Sequence, residues 1–279
     1  MKVDIIGLLS ETSMHPGSES STGVVDLPIA REVSTNYPVI TGSSLKGAFR
    51  ESFEDRRDKK VSDEIFGEQN RTGDIAISDG RILLLPVRTL IGHYKCITCP
   101  YILDRFFRDL KLAGYSIDEV KIPEIEQGKA LYHGTDEEIF LEEITFAPHA
   151  PQESGEILQK LVEKIKPLLY HKSLKDRLIK QLVVINDDEF AFFAKYGLEV
   201  RARNKLERKT KTSDNLWYEE CLPPDTLFYV MFLCRTGKET SLEKLREAFL
   251  EKPYIQIGGN ETIGQGWCVL SRWEEGEER

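Results

Sequence analysis

Ile255-Gln-Ile-Gly-Gly-Asn-Glu-Thr-Ile-Gly-Gln-Gly-Trp267 packs Gly258, Gly259, Gly264 and Gly266 into nine residues just after a short apolar strand. Glycines at this density permit positive φ and close approach of a second backbone. Two readings follow: tight packing of one loop on a sheet, or a cradle for a nucleic-acid backbone. A dinucleotide-binding turn is disfavoured, because the spacing is not Gly-x-Gly-x-x-Gly and the stretch does not follow a first strand.

A second stretch, Pro38-Val-Ile-Thr-Gly-Ser-Ser-Leu-Lys-Gly-Ala-Phe-Arg50, runs from a short strand through a Gly-Ser turn into a helix. Ser43 or Ser44 is the expected N-cap. Leu45, Ala48, Phe49 and Phe53 form one apolar stripe, which leaves Lys46 and Arg50 together on another face. Gly42, Ser43 and Ser44 at a helix N-terminus, with Lys46 one turn in, suit a phosphodiester. A capped helix with a surface lysine is the plainer alternative. The spacing is not that of a P-loop, which argues against a nucleotide triphosphatase.

The acidic sum needs reconciling with a phosphate partner. The 279 residues carry 47 Asp and Glu against 38 Lys and Arg, a net charge of −9. Phosphate binding rests largely on Lys and Arg, but local fields decide it. Arg201-Ala-Arg-Asn-Lys-Leu-Glu-Arg-Lys-Thr-Lys211 sets six cations against one anion in eleven residues. The acid gathers elsewhere, at Asp136-Glu-Glu138, Asp187-Asp-Glu189 and the tail from Glu274. No apolar run nears the roughly 20 residues of a membrane span. Met1-Lys-Val-Asp-Ile-Ile enters a strand with no signal peptide, so a cytoplasmic protein with no membrane partner is expected. The five cysteines are scattered, which argues against a disulfide framework. Cys96-Ile-Thr-Cys99, with His93 upstream, has the spacing of half a zinc site, but no second pair completes it; two ordinary thiols are the preferred reading.

The order of elements reads as α+β. Val3–Thr12 is a buried strand, followed by a long polar loop over about 13–32 that carries His15, Glu19, Asp26 and Arg31-Glu32. Asp79-Gly80 between two apolar runs predicts a hairpin over 74–88. Helices are expected over 100–113, about 156–182 with a break near Pro167, and 241–250; strands over 226–234 and 254–257. Leu198–Asn204 and Asn215–Cys221 read as arms of a protruding hairpin around a basic turn.

In combination these residues resemble the RAMP superfamily of CRISPR effector proteins, and within it the repeated backbone subunit of type III-B (Cmr) complexes. The likeness spans nearly the whole chain. It rests on His15-Pro-Gly, Gly23-Val-Val-Asp26-Leu-Pro-Ile-Ala-Arg31-Glu, Pro38-Val-Ile-Thr-Gly-Ser-Ser-Leu-Lys-Gly, Phe66-Gly, Leu85-Pro-Val-Arg88, Leu216-Trp-Tyr-Glu-Glu, Pro224-Asp-Thr-Leu-Phe-Tyr229 and the glycine-rich loop. The resemblance implies one RAMP domain over 1–279, a ferredoxin-like (RNA-recognition-motif-like) palm with helical insertions and a β-hairpin thumb at about 198–223. Copies would stack head to tail along a CRISPR guide RNA beside other Cmr subunits. Each thumb would displace a target-RNA nucleotide, and the nearby loop would cut there.

On this resemblance Asp26 matches the cleavage residue and would hold a divalent metal ion, Mg or Mn; His15 and Glu219 match auxiliary catalytic positions. Cys221 stands where some members carry Tyr. Gly42, Ser43, Ser44, Lys46, Arg50, Arg201, Arg203, Trp217 and Gly258, Gly259, Gly264 and Gly266 would hold RNA through sequence-independent contacts. Loop and thumb would meet across neighbouring copies. A non-catalytic RNA-binding scaffold with the same groove is the alternative; a small-molecule enzyme has no motif behind it.

Overall fold

The structure, a computed structural model, describes residues 2–18, 24–117, 120–134, 138–149, 151–210, 212–235 and 237–275. Glu19 and Gly23 of the long loop, Lys211, Asp136, Glu137 and the tail 276–279 lie outside the described residues.

Four strands and two helices make the palm: β1 (Val3–Ser10), α1 (Gly42–Glu54), β2 (Gly80–Arg88), β3 (Leu227–Cys234), α2 (Glu239–Glu251) and β4 (Trp267–Arg272). Their order in the sheet is β4-β1-β3-β2, antiparallel throughout. That is the ferredoxin-like arrangement, in which each βα unit crosses over the strand paired between its ends. β1 is central and buried along its whole length. Its one charged side chain, Asp4, is buried and receives two bonds of 2.6 Å from the Arg246 guanidinium of α2. Phe49 of α1 meets Phe232 of β3 at 4.9 Å and Phe249 of α2 at 5.2 Å, edge to face. It is fully buried, so truncating it to alanine costs about 3–5 kcal/mol.

The sheet continues past β2 through Tyr94–Thr98, Leu182–Ile185, Lys129–Tyr132, Ile144–Pro148 and Ile139–Leu141, all contributed by the segment between β2 and β3. Helices Pro100–Leu112, Pro151–Ile165, Lys172–Gln181 and Asp187–Tyr196 belong to this insertion. The expected break near Pro167 is a short 3-10 turn, Lys166–Leu168. A two-stranded ribbon, Glu199–Leu206 paired with Ser213–Cys221, stands outside the large sheet. No described helix is long and apolar enough to cross a membrane.

Two local expectations are corrected. Ile75–Ile77 and β2 do not pair with each other; both lie along β3, Ile77 opposite Phe232 and Ile82 opposite Phe228. Ser78 fills the step between them, its N–H bonded to the Met231 carbonyl and its hydroxyl accepting the Met231 N–H. Asp79 is therefore free of a turn and accepts the Gly42 N–H at 2.6 Å. The N-cap of α1 is Thr41, whose hydroxyl accepts from the Ser44 N–H; Ser43 and Ser44 lie inside the helix.

Candidate functional site

The long loop is stitched to the second strand of the ribbon. Leu27 N–H bonds the Tyr218 carbonyl at 3.0 Å and Glu220 N–H bonds the Leu27 carbonyl at 3.0 Å. Asp26 adds a side-chain bond: its Oδ2 accepts the Tyr218 N–H at 2.8 Å. Its Oδ1 makes no hydrogen bond among the described residues. Farther along, Ala30 N–H bonds the Pro16 carbonyl at 2.8 Å, and Met14 exchanges both backbone bonds with Leu222. Loop and ribbon base thus meet within one chain.

Side chains alternate across the ribbon, so its two faces differ. Arg201 pairs opposite Glu219 and Arg203 opposite Trp217 on one face. Glu219 is 2% exposed. One of its oxygens accepts from Asn260 Nδ2, and the other lies 3.0 Å from Arg203 Nη1. The Arg203 guanidinium also lies over the Trp217 ring, 6.0 Å from its centroid. Arg201 donates to Ser13 Oγ at 2.8 Å. His15 is buried, its Nδ1 2.8 Å from the Glu220 carbonyl and 3.8 Å from Glu219 Oε1. A carbonyl only accepts, so Nδ1 carries a proton.

The opposite face shows Val200, Leu216 and Tyr218 to solvent. Tyr218, in the middle of this face, was not singled out from the sequence; its alternation with half-buried Trp217 and buried Glu219 was the available signal. Cys221 ends the strand as a buried thiol, pushed up to about 11 by burial and by Glu219, so it stands protonated.

Two glycines of the glycine-rich loop pack closely on the chain's own backbone. Gly258 has φ of 86°, and a Cβ there would lie 2.4 Å from the His15 carbonyl oxygen. Gly259 N–H donates to that same carbonyl at 3.1 Å. Gly266 has φ of 80°, and its Cβ would sit 2.1 Å from the Ile257 carbonyl oxygen. Gly264 alone of the four positive-φ or paired glycines faces open space. Asn260, in the left-handed region with φ of 68°, turns its amide onto Glu219 and onto Gln265. The loop therefore fixes His15 and Glu219.

Gly42, Ser43, Ser44, Lys46 and Arg50 share no hydrogen bond or ion pair with this cluster among the described residues. Asp79 already occupies the helix start at Gly42. Arg50 is half-buried beside the cleft that Lys46 lines, bonded to Glu54 at 2.9 Å, to Asp63 and to the Gly67 carbonyl at 2.7 Å. Lys46 is exposed and makes no ion pair among the described residues. It lines an open polar cleft of about 610 Å³ with Gln69, Asn70 and Arg71.

Among the described residues no group of three or more His, Cys, Asp or Glu is placed to hold a metal ion. Cys96 and Cys99 are buried and their thiols raised by burial, Cys96 to about 12.

A family model described as the RAMP superfamily matches residues 8–269. The chain belongs to the RAMP superfamily. It is 35% identical to the CRISPR system Cmr endoribonuclease Cmr4 of Pyrococcus furiosus, over 97% of this chain and 96% of that protein. It is 25% identical to the CMR subunit Cmr4 of Saccharolobus solfataricus, over 94% and 93%. The crystal structure of oligomeric Cmr4 from Pyrococcus furiosus superposes with a TM-score of 0.79 at 32% identity, covering 98% of both chains. A chain of the type III-B Cmr-beta complex bound to cognate target RNA shares the fold, with a TM-score of 0.75 at 23% identity over 98% and 97%.

Proposed function

We propose that this chain is the guide-RNA-binding backbone subunit of a type III-B CRISPR effector complex. Acting in the cytoplasm, it cleaves guide-complementary target RNA at regular intervals, in copies stacked head to tail beside other Cmr subunits. The observation that carries the reading is full-length similarity to a Cmr4 endoribonuclease, joined to a carboxylate, Asp26, pinned at the base of a projecting ribbon.

The chain's own residues supply position. The ribbon is the thumb, and its exposed Leu216 and Tyr218 offer an apolar and aromatic surface for a base taken out of the stack. An unstacked nucleotide frees its phosphodiester from duplex geometry, so that the 2′-hydroxyl can line up for attack. Asp26, with one oxygen held by Tyr218 N–H, directs the other outward, where it can accept the proton of that hydroxyl. His15 and Glu219, both buried, hold the loop, the thumb and the glycine-rich turn in register. Ser43, Ser44 and Lys46 on one stretch, and Gly258, Gly259 and Gly264 on the other, are the exposed members of the two proposed backbone contacts.

One carboxylate with one uncommitted oxygen fits a divalent ion of the Mg type, whose shell RNA oxygens and water would complete. Such an ion, held by Asp26 in place of the proton-accepting role, would neutralise charge developing on the phosphorane. Assembling the complex with Asp26→Ala tests the assignment. Guide binding and assembly are expected to persist while target cleavage disappears; cleavage at the wild-type rate would remove Asp26 from the chemistry.

A further inference from the structure

We propose that Arg31 and Glu220 are positioning residues for Asp26, closing a latch that holds the 24–32 segment against the thumb. The proposal rests on the reading of Asp26 as the cleavage residue. Adjacent glutamates divide the work, since alternation sends their side chains to opposite faces. Glu219 turns to the glycine-rich loop, while Glu220 turns to the segment that carries Asp26.

The latch has two halves. Glu220 Oε2 accepts the Ile29 N–H at 3.0 Å, and Glu220 Oε1 lies 2.6 Å from Arg31 Nη2. Arg31 Nη1 donates to the Ala194 carbonyl at 2.8 Å and to the Asn36 carbonyl at 3.0 Å. Ala194 lies in the last turn of helix Asp187–Tyr196, whose terminal carbonyls favour a cation. One guanidinium thus joins the loop, the thumb and a helix of the insertion.

Without this pair the segment is held to the thumb by the two Leu27 backbone bonds and the Asp26–Tyr218 bond. Tyr218 is solvent-exposed, so water competes for them. The latch is sheltered: the Arg31 and Glu220 side chains are 16% and 8% exposed. Its burial leaves little of either group to meet an RNA phosphate, which separates it from the RNA contacts. A salt bridge of this kind earns its place by fixing one geometry, because a lone partner left behind is costly. Displacing a reacting group by about 1 Å can cost about 10²-fold in rate.

The test uses complexes assembled with Arg31→Ala, Glu220→Gln and Asp26→Ala, and with the charge-exchanged pair Arg31→Glu/Glu220→Arg. Single-turnover cleavage of a guide-matched target is measured beside target affinity and the melting temperature. Both single variants are expected to cleave about 10²-fold more slowly at unchanged cut positions and unchanged target affinity. Hydrogen exchange at the Leu27 and Tyr218 amides should quicken about tenfold or more in both. Glu220→Gln keeps an acceptor for Ile29, so it folds and still loses the ion pair. The exchanged pair sets a carboxylate against the Ala194 and Asn36 carbonyls and a guanidinium against the Ile29 N–H, so it is expected to stay at least as slow as the single variants.

Wild-type cleavage rates in Arg31→Ala and Glu220→Gln would overturn the latch. So would a loss of rate matched by loss of target affinity, which marks a merely structural role. Asp26→Ala keeps the two readings apart: if it cleaves normally, the Asp26 assignment fails; if it is dead while the latch variants cleave fully, only the latch fails.

Discussion

Replacing Glu219 by glutamine separates a structural hub from a catalytic acid. The wild-type carboxylate is 2% exposed and meets two donors, Asn260 Nδ2 on one oxygen and Arg203 Nη1 on the other. Glutamine keeps one acceptor and turns an NH₂ toward the second donor. The change removes a charge-assisted bond, about 1.5–3 kcal/mol, and leaves donor facing donor. Arg203 is about a quarter exposed, its side chain at 24%. It can turn to water, which holds the total near the lower end of the roughly 3–5 kcal/mol for breaking a fully buried pair. A cost of about 3 kcal/mol lowers the melting temperature of a chain this long by about 6–12 °C. Glu219→Ala should cost about as much, because Asn260 keeps its 2.8 Å bond to Gln265 in either variant. Thermal unfolding of the purified chain by circular dichroism reads both. A melting temperature within about 2 °C of wild type for Glu219→Gln would refute the hub and return Glu219 to direct chemistry.

Gly266→Ala should destabilise the chain by about 3 kcal/mol or more, from left-handed strain together with a Cβ 2.1 Å from the Ile257 carbonyl oxygen. Gly264→Asn, at φ of 78° with open space around it, should cost within about 1 kcal/mol; equal melting of the two variants would contradict the packing role. The five buried cysteines should resist alkylation in the native chain near the ordinary thiol pKa of about 8.5 and react in denaturant. Raised folded values favour the protonated thiol, so this stabilisation is complete below about 8.5. It fades as pH climbs toward about 11 for Cys221 and about 12 for Cys96 and Cys268. Stability that holds flat across that range would show the thiols to be less sheltered than their burial indicates.

The palm was legible because its signals are local. β3 is an unbroken apolar run, β1 is apolar but for Asp4 and the closing Ser10, and α1 shows a clean stripe at Leu45, Phe49 and Phe53. The strands of the insertion were not legible. Lys129–Tyr132 and Ile139–Leu141 are three or four residues long and gain their pairing from distant strands. The Asp79-Gly80 step misled for a related reason: a turn dipeptide lies where β3 is long enough to pair with both flanking runs. At the site, motif order picked out His15, Asp26 and Glu219, but composition could not say which cations were spent internally. Arg50 is consumed by Glu54 and Asp63, a pairing set by how the helix Lys59–Phe66 packs on α1. Arg31 and Glu220 pair across a sequence separation that no local pattern encodes.

The central claim is that stacked copies of this chain each cut one position of a guide-bound target through Asp26. A guide-matched RNA, labelled at one end and given to the assembled complex, reads this directly. Wild type is predicted to produce several products at one constant spacing, and the Asp26→Ala complex to bind the same target and leave it whole. A single cut, irregular cuts, or an unchanged ladder from the Asp26→Ala complex would contradict the account.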